Sequence, residues 1–376
     1  MPAEKKLQGL VRDRIMARAV RASRVHAPPR HPLQYPRPTP RRDALATRCR
    51  REDVVPSYVP LDLDMPHPLS AHLPMAIGTA VARCGETDVT VVMPTSESDV
   101  VDVYSAMGRP DEDPHWADVW HGDVALATAM LEGGGGGGGG GGDAGSTIDV
   151  RGRSVINLGA GLGLAGVAAA LAGASRVLMT DREPRALWCS LAAARANGLR
   201  GAAETLPASC GAPDGVALGP TPKALEPASP AASRCVVDAE IVDWFEPELA
   251  PTGFDVVLAS DVLYTADAVD AIATLVLRLF SSRGGRAGRF VLADPPGRFP
   301  ENHARFVRCM EDPGSIPGYA GEALITGASI ERVDERIVEC VNLVGETMAV
   351  KLSTYDITVP SRRARDGSAS ILSSRA

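Results

Sequence analysis

Three glycines at alternate positions, Gly159, Gly161 and Gly163, interrupt the apolar run SVINLGAGLGLAG between Ser154 and Gly166. The missing side chains let a ligand lie directly against backbone, and a strand that runs through such a loop into a helix is the entrance to a cofactor site. Two acids follow where further strands are expected to end. Asp181, after Met179 and Thr180, is expected at an exposed strand end, where a carboxylate can accept both hydroxyls of a ribose; its structural alternative is a solvated helix cap. Asp261 and Tyr264 have the i, i+3 spacing that places both on one side of the turn after a strand, facing the ligand edge of a sheet. An acid there can orient an incoming nucleophile and handle its proton, or simply cap the next helix above a packed Tyr.

The elements that must carry these residues alternate strand and helix. Strands are predicted over 155–158, 176–180, 235–242, 254–259 and 289–293, and helices over 164–171, 185–197 and 269–280, after a short helical pattern ending at Leu131 and Glu132. Repeated βα units of this length imply a parallel sheet covered on both faces. The last two segments, 329–342 and 346–357, alternate in polarity around a turn containing Gly345 and predict an antiparallel hairpin. The expected fold is therefore α/β, a mostly parallel sheet ending in an antiparallel β-hairpin.

That hairpin, with Leu164 where a dinucleotide loop needs its third glycine and Gly163 where a GxGxG loop has one, favours S-adenosyl-L-methionine (AdoMet) over NAD as the ligand. The set WADVW (116–120), NLGAGLGLAG, TD (180–181), DW (243–244) and ASDVLY (259–264) resembles family 16 of the seven-β-strand methyltransferases, the protein-lysine methyltransferase group. The resemblance covers about 113–357. DPHWADVW, GASRV and ADPPGR are most similar to the branch containing the electron-transfer-flavoprotein β-subunit lysine methyltransferase and plant-type relatives. It implies the Rossmann-like seven-stranded class I methyltransferase fold, AdoMet as cofactor and a protein substrate carrying the target lysine. It further implies that Gly159, Gly161 and Gly163 approach the methionine moiety and that Asp181 holds the ribose. Asp243 and Trp244 would border the adenine, Trp120 would cover the cofactor, and Asp261 and Tyr264 would form the acceptor site. Trp116 and Trp188 are expected either there or in the core. The family usually has a carboxylate where this chain has Asn157, so Asn157 would keep a hydrogen bond to the cofactor's cationic end but lose the charge. The alternatives are a small-molecule N-methyltransferase and a non-catalytic interaction module of the same fold.

Charge is unevenly distributed. Residues 1–51 hold 14 Lys and Arg against 3 acids, whereas the whole chain of 376 residues is at −7, so the body is strongly acidic. An acidic body argues against a nucleic-acid partner and suits a basic protein substrate. Residues 1–53 read as a disordered basic arm with some features of an organellar transit peptide; the protein is expected inside the cell, in the cytoplasm, or in a mitochondrial or plastid matrix if the arm is such a peptide. Residues 54–112 are expected as an extension packed on the core, 113–358 as the catalytic domain with flexible inserts at 133–142 and 201–233, and 359–376 as a disordered tail. Seven scattered cysteines without a CxxC pair point to a reducing compartment and no zinc site, and Cys189 is expected to be buried rather than nucleophilic. His115 and His121, six apart, make a poor metal site and are expected in solvent or core. No apolar run approaches a membrane span, and the chain is expected to be a soluble monomer.

Overall fold

The computed structural model describes residues 59–60, 77–106, 108–110, 112, 114–133, 148–199, 235–316 and 328–360. The basic arm, the inserts from 134 to 142 and from 201 to 233, and the tail beyond 360 lie outside them.

Among these residues the strands are β1 (Val59–Pro60), β2 (Ile77–Cys84), β3 (Thr87–Pro94), β4 (Ser154–Leu158), β5 (Arg176–Asp181), β6 (Val236–Ile241), β7 (Val256–Ser260), β8 (Gly288–Asp294), β9 (Ser329–Val341) and β10 (Thr347–Thr358). The helices are α1 (Glu97–Ala106), α2 (His121–Gly133), α3 (Leu164–Leu171), α4 (Pro184–Ala196), α5 (Ala266–Ser281) and α6 (Pro300–Glu311). The main sheet has seven strands in the order β6-β5-β4-β7-β8-β10-β9, parallel except for β10, which runs antiparallel to both neighbours. This is the Rossmann-like seven-stranded class I methyltransferase fold that the sequence resemblance implies.

Strand alternation divides the core into two layers. Val155, Val177, Met179, Leu258 and Val291 join one buried cluster with residues of α2, α3 and α4; Ile156, Leu178, Val257, Phe290 and Leu292 join the other with α5 and α6. The α5 stripe Val269, Ile272, Ala273, Val276 and Phe280 is fully buried, at the spacing of one helix face. Thr265 starts that helix earlier than its apolar stripe, because the Thr265 hydroxyl accepts from the Ala268 amide at 3.3 Å. Hydrophobic periodicity therefore placed the start three residues late.

β1, the β2–β3 hairpin, α1 and α6 carry no counterpart among the sequence expectations. The hairpin lies in a three-stranded antiparallel sheet with β1. It is joined to the end of α4 by a two-way bond, in which the Thr90 amide donates to Asn197 Oδ1 at 3.0 Å and Asn197 Nδ2 donates to the Thr90 carbonyl at 2.6 Å. Trp116 and Trp188 are both core residues, and Cys189 is buried.

At the amino-terminal edge of the sheet, a buried guanidinium ties three strands to the end of α5. Arg283 donates to the Phe254 carbonyl and to Asp255 Oδ1, each at 2.7 Å, and to the Ala287 carbonyl at 3.0 Å. Asp255 in turn accepts from the Ser154 amide and hydroxyl at the start of β4. Partial burial works against the Asp255 carboxylate, but the Ser154 and Arg283 hydrogen bonds prevail and hold its pKa at about 2. Its depressed value means that this contribution is present above the ordinary aspartate range near 4 and is lost as pH falls toward 2. Arg283→Met, which keeps the stem but removes the bonds to two carbonyls and the charged partner of Asp255, should cost about 2 kcal/mol or more in urea unfolding at neutral pH. The difference from the parent should shrink below pH 4; equal losses at pH 7 and pH 3 would show that packing of the stem, not the charge network, is what was removed.

Candidate functional site

The sheet reverses its order between β4 and β7, and the crevice at that switch point opens at the carboxyl ends of the strands. Every candidate residue lies around it.

The glycine loop leaves β4 with Gly159, Gly161 and Gly163 all in the left-handed region, at φ of +59°, +51° and +81°. Two of them are also sterically fixed. A Cβ on Gly159 would stand 2.7 Å from the Trp244 ring, and one on Gly163 would stand 2.4 Å from Ser190 Cβ. The first keeps an indole directly over the loop, and the second lets α3 pack on α4.

Asp181 is 9% exposed rather than at an exposed strand end. Its Oδ2 accepts from the Gly161 amide at 3.0 Å and its Oδ1 from the Glu183 amide at 2.9 Å, so it locks the glycine loop to the end of β5. Burial raises its pKa despite those two donors. A carboxylate has about four acceptor positions, so two remain for ribose hydroxyls. The cap of α4 is Glu183, not Asp181.

Asp261 adopts φ +51°, the only non-glycine residue with positive φ among those described. Aspartate tolerates this conformation better than most residues. Both side-chain oxygens are engaged: Oδ2 accepts from the Gly122 amide at 2.7 Å and Oδ1 from Arg298 Nη1 at 2.8 Å. Burial pushes its pKa up to about 6, against the pull of Arg298 and the Gly122 amide, with Asp294 adding repulsion. Gly122 is required at this contact, since a Cβ there would lie 2.4 Å from Asp261 Oδ2.

An aromatic wall continues from the loop. Trp244 and Tyr264 have ring centroids 6.1 Å apart, Tyr264 and His115 4.9 Å, and His115 and Trp120 5.8 Å. The Arg298 guanidinium sits 4.7 Å above the Trp120 ring, closing the wall on the side of Asp261. His115 is thus part of this wall, whereas His121 is buried, its Nε2 2.9 Å from the Glu346 carbonyl oxygen. Asp243 accepts from the Phe245 amide at 3.0 Å, shaping the turn that carries Trp244.

Asn157 lies on β4, two residues before the first glycine of the loop. It is 0% exposed, and neither its Oδ1 nor its Nδ2 has a hydrogen-bonding partner. Register places it beside Met179 on β5 and Leu258 on β7, so alternation puts Asp181 and Ser260, two residues farther along those strands, on its face of the sheet. The helix covering that face adds a carboxylate that sequence reasoning missed. Asp123 on α2 is 5% exposed, accepts from the Ser260 hydroxyl at 2.5 Å, and has a pKa pushed up to about 7, by burial first and then by Asp261 and Asp181. Its only sequence signal is an acid in an otherwise apolar stretch, VALATAML, of a buried helix. Arg298 and Gly122 likewise carry no local sequence signal for the contacts they make with Asp261.

These residues fit AdoMet better than NAD. The crevice has a cradle that side chains would fill, an orphaned amide, and three buried acids, a setting that favours a ligand with cationic groups and repels a pyrophosphate. Among the described residues, no group of three or more His, Cys, Asp or Glu is placed to hold a metal ion, and no helix is long and apolar enough to cross a membrane.

No family model matches the chain. Over 90 residues it is 34% identical to the electron transfer flavoprotein beta subunit lysine methyltransferase of Mus musculus, a match covering 24% of this chain and 30% of the relative. The Homo sapiens protein of the same name is 38% identical over 75 residues, covering 20% and 24%. Among solved structures, TYW2 of P. horikoshii in complex with MeSAdo overlaps 75% of this chain and 71% of its own, with 11% identity and a TM-score of 0.37. The chain thus spans less than a third of the length of the curated relatives it matches, and those relatives are lysine methyltransferases of the branch that its motifs resemble.

Proposed function

We propose that this protein is an AdoMet-dependent methyltransferase that acts on a lysine side chain of a protein substrate. The observation that carries the reading is the crevice itself: a left-handed glycine loop under Trp244, ringed by the buried acids Asp123, Asp181 and Asp261. Gly159, Gly161 and Gly163 would admit the cofactor to the backbone, Asp181 would hold the ribose, and Asp243 and Trp244 would border the adenine. Trp120 would cover the cofactor, and Asn157 would offer an amide to its cationic end. When bound, the cofactor supplies a methyl carbon on a sulfonium, and the new N–C bond forms as the C–S bond breaks.

The chain's own task is to present a neutral amine in line with that carbon. At pH 7 a lysine of ordinary pKa is neutral in about one molecule in 2,500, a deficit of ~4.6 kcal/mol. Asp261, raised to about 6, is a stronger proton acceptor than an ordinary aspartate and is still mostly ionised at neutral pH. The corner it forms with Trp120 already grips the chain's own Arg298 between a carboxylate and an indole face. That is recognition chemistry for a cationic side chain, and it supports an amine as the acceptor. Tyr264 walls the approach.

One observation favours the second reading, a non-catalytic module: both Asp261 oxygens are engaged, as a purely structural anchor would be.

Three measurements separate these readings. AdoMet and its demethylated product at a hundredfold excess over Kd should add about 2.7 kcal/mol of stability in a thermal shift assay, and NAD should add none. A shift with NAD and none with saturating AdoMet would refute the cofactor assignment. Asp261→Asn keeps the shape, tolerates the left-handed backbone and should leave the AdoMet shift in place, while methyl transfer falls on the order of 10²-fold. Tyr264→Phe should cost less. An Asp261→Asn protein that transfers methyl groups at the parental rate leaves Asp261 an anchor only. Mass spectrometry of lysines labelled from AdoMet in a cell extract tests the acceptor; label confined to small molecules would overturn the protein substrate.

A further inference from the structure

We propose that Asp123 is a cofactor-binding residue: from α2 it supplies the carboxylate for the α-ammonium group of AdoMet, beside the uncharged Asn157 amide. The inference rests on the AdoMet reading and adds to it a residue that no motif marks.

Two independent observations fall on one face of the sheet. The first is Asn157, fully buried with both amide atoms unpartnered. A buried amide without partners is costly to keep, so a polar ligand that satisfies it is the simplest physical account. The second is Asp123, buried over the same face and fixed by the Ser260 hydroxyl. The charged groups that act on it, Asp261 and Asp181, both repel it. Arg298 is turned to Asp261 and Trp120 instead. A carboxylate buried among other carboxylates is destabilising until a cation arrives. Among the described residues no group of three or more His, Cys, Asp or Glu is placed to hold a metal ion, so an organic cation that donates hydrogen bonds is the better match for Asp123, the Ser260 hydroxyl and the Asn157 amide on this face. The ammonium end of an amino acid has that chemistry.

Calorimetric titration of the full chain tests this with three ligands: AdoMet, S-adenosylhomocysteine and 5′-methylthioadenosine, which lacks the amino-acid end. Asp123→Asn should raise Kd about tenfold for the first two, the loss of one charged hydrogen bond, and leave methylthioadenosine within twofold. The unliganded variant should melt at or above the parental temperature, since a buried charge has gone. Ser260→Ala, which removes only the orienting hydroxyl, should show the same selectivity at about threefold and serves if Asp123→Asn does not fold. Asn157→Asp in the Asp123→Asn background should recover most of the lost affinity by returning the charge to the neighbouring strand. An unchanged Kd for S-adenosylhomocysteine, or an equal loss for methylthioadenosine, overturns the role of Asp123. A parent chain that binds none of the three refutes the AdoMet reading instead.

Discussion

Asp261 holds together three segments that the sequence keeps far apart. Its backbone ends β7 and donates to the Ala293 carbonyl on β8, its Oδ2 receives the Gly122 amide at the start of α2, and its Oδ1 receives Arg298 from beyond β8. The amide at the helix start also brings the positive end of the α2 dipole onto the carboxylate. With α2 pinned there, Asp123 one residue on meets Ser260 one residue before Asp261, and Trp120 on the other side meets Arg298. The geometry of the crevice therefore follows from one carboxylate in an unusual backbone conformation. Gly122 is what lets the helix come so close.

The parts of this arrangement that were legible in the sequence are those with a local signal. The βα repeats, the glycine loop and the final hairpin are visible because alternation and helical periodicity are short-range patterns, and the strand ends came within about two residues. Phe254 and Asp255 fell outside β7, although they continue its run, because Asp255 is drawn to Ser154 and Arg283. The misplacement of Asp181 has a similar cause. A strand-end acid reads as solvent-facing, and only the fold of the glycine loop back over β5 buries it. Asp123, Gly122 and Arg298 had no local signal at all. Each owes its position to a partner between 37 and 139 residues away in sequence.

The electrostatics of the crevice run against stability. Burial raises the pKa of Asp123, Asp181 and Asp261 alike, which means that folding places their carboxylates where the ionised form is disfavoured. For each, the sign is that of a group whose stabilising contribution is fullest below its unfolded pKa and is lost as pH rises through the folded value. The opposite case, Asp255, sits at the far edge of the sheet, where Arg283 and Ser154 bring its pKa down. The two ends of the same strands thus do different work. One end is tied by the Arg283, Asp255 and Ser154 network, and the other gathers the buried acids Asp123, Asp181 and Asp261.

Such excess is tolerated when something else bears its cost, and the apolar burial on both sheet faces is the term large enough to do so. The two core clusters bury most of the side chains of β4, β5, β7 and β8, whose central position protects the crevice floor from relaxing around an unpaired acid. A floor that cannot relax is also one that cannot give Asn157 a partner, or Asp123 a counter-charge, by local rearrangement. Rigid packing therefore keeps their unmet polar demand available to a ligand, and it is the same packing, at Gly159 and Gly163, that leaves room for the ligand to lie against the backbone.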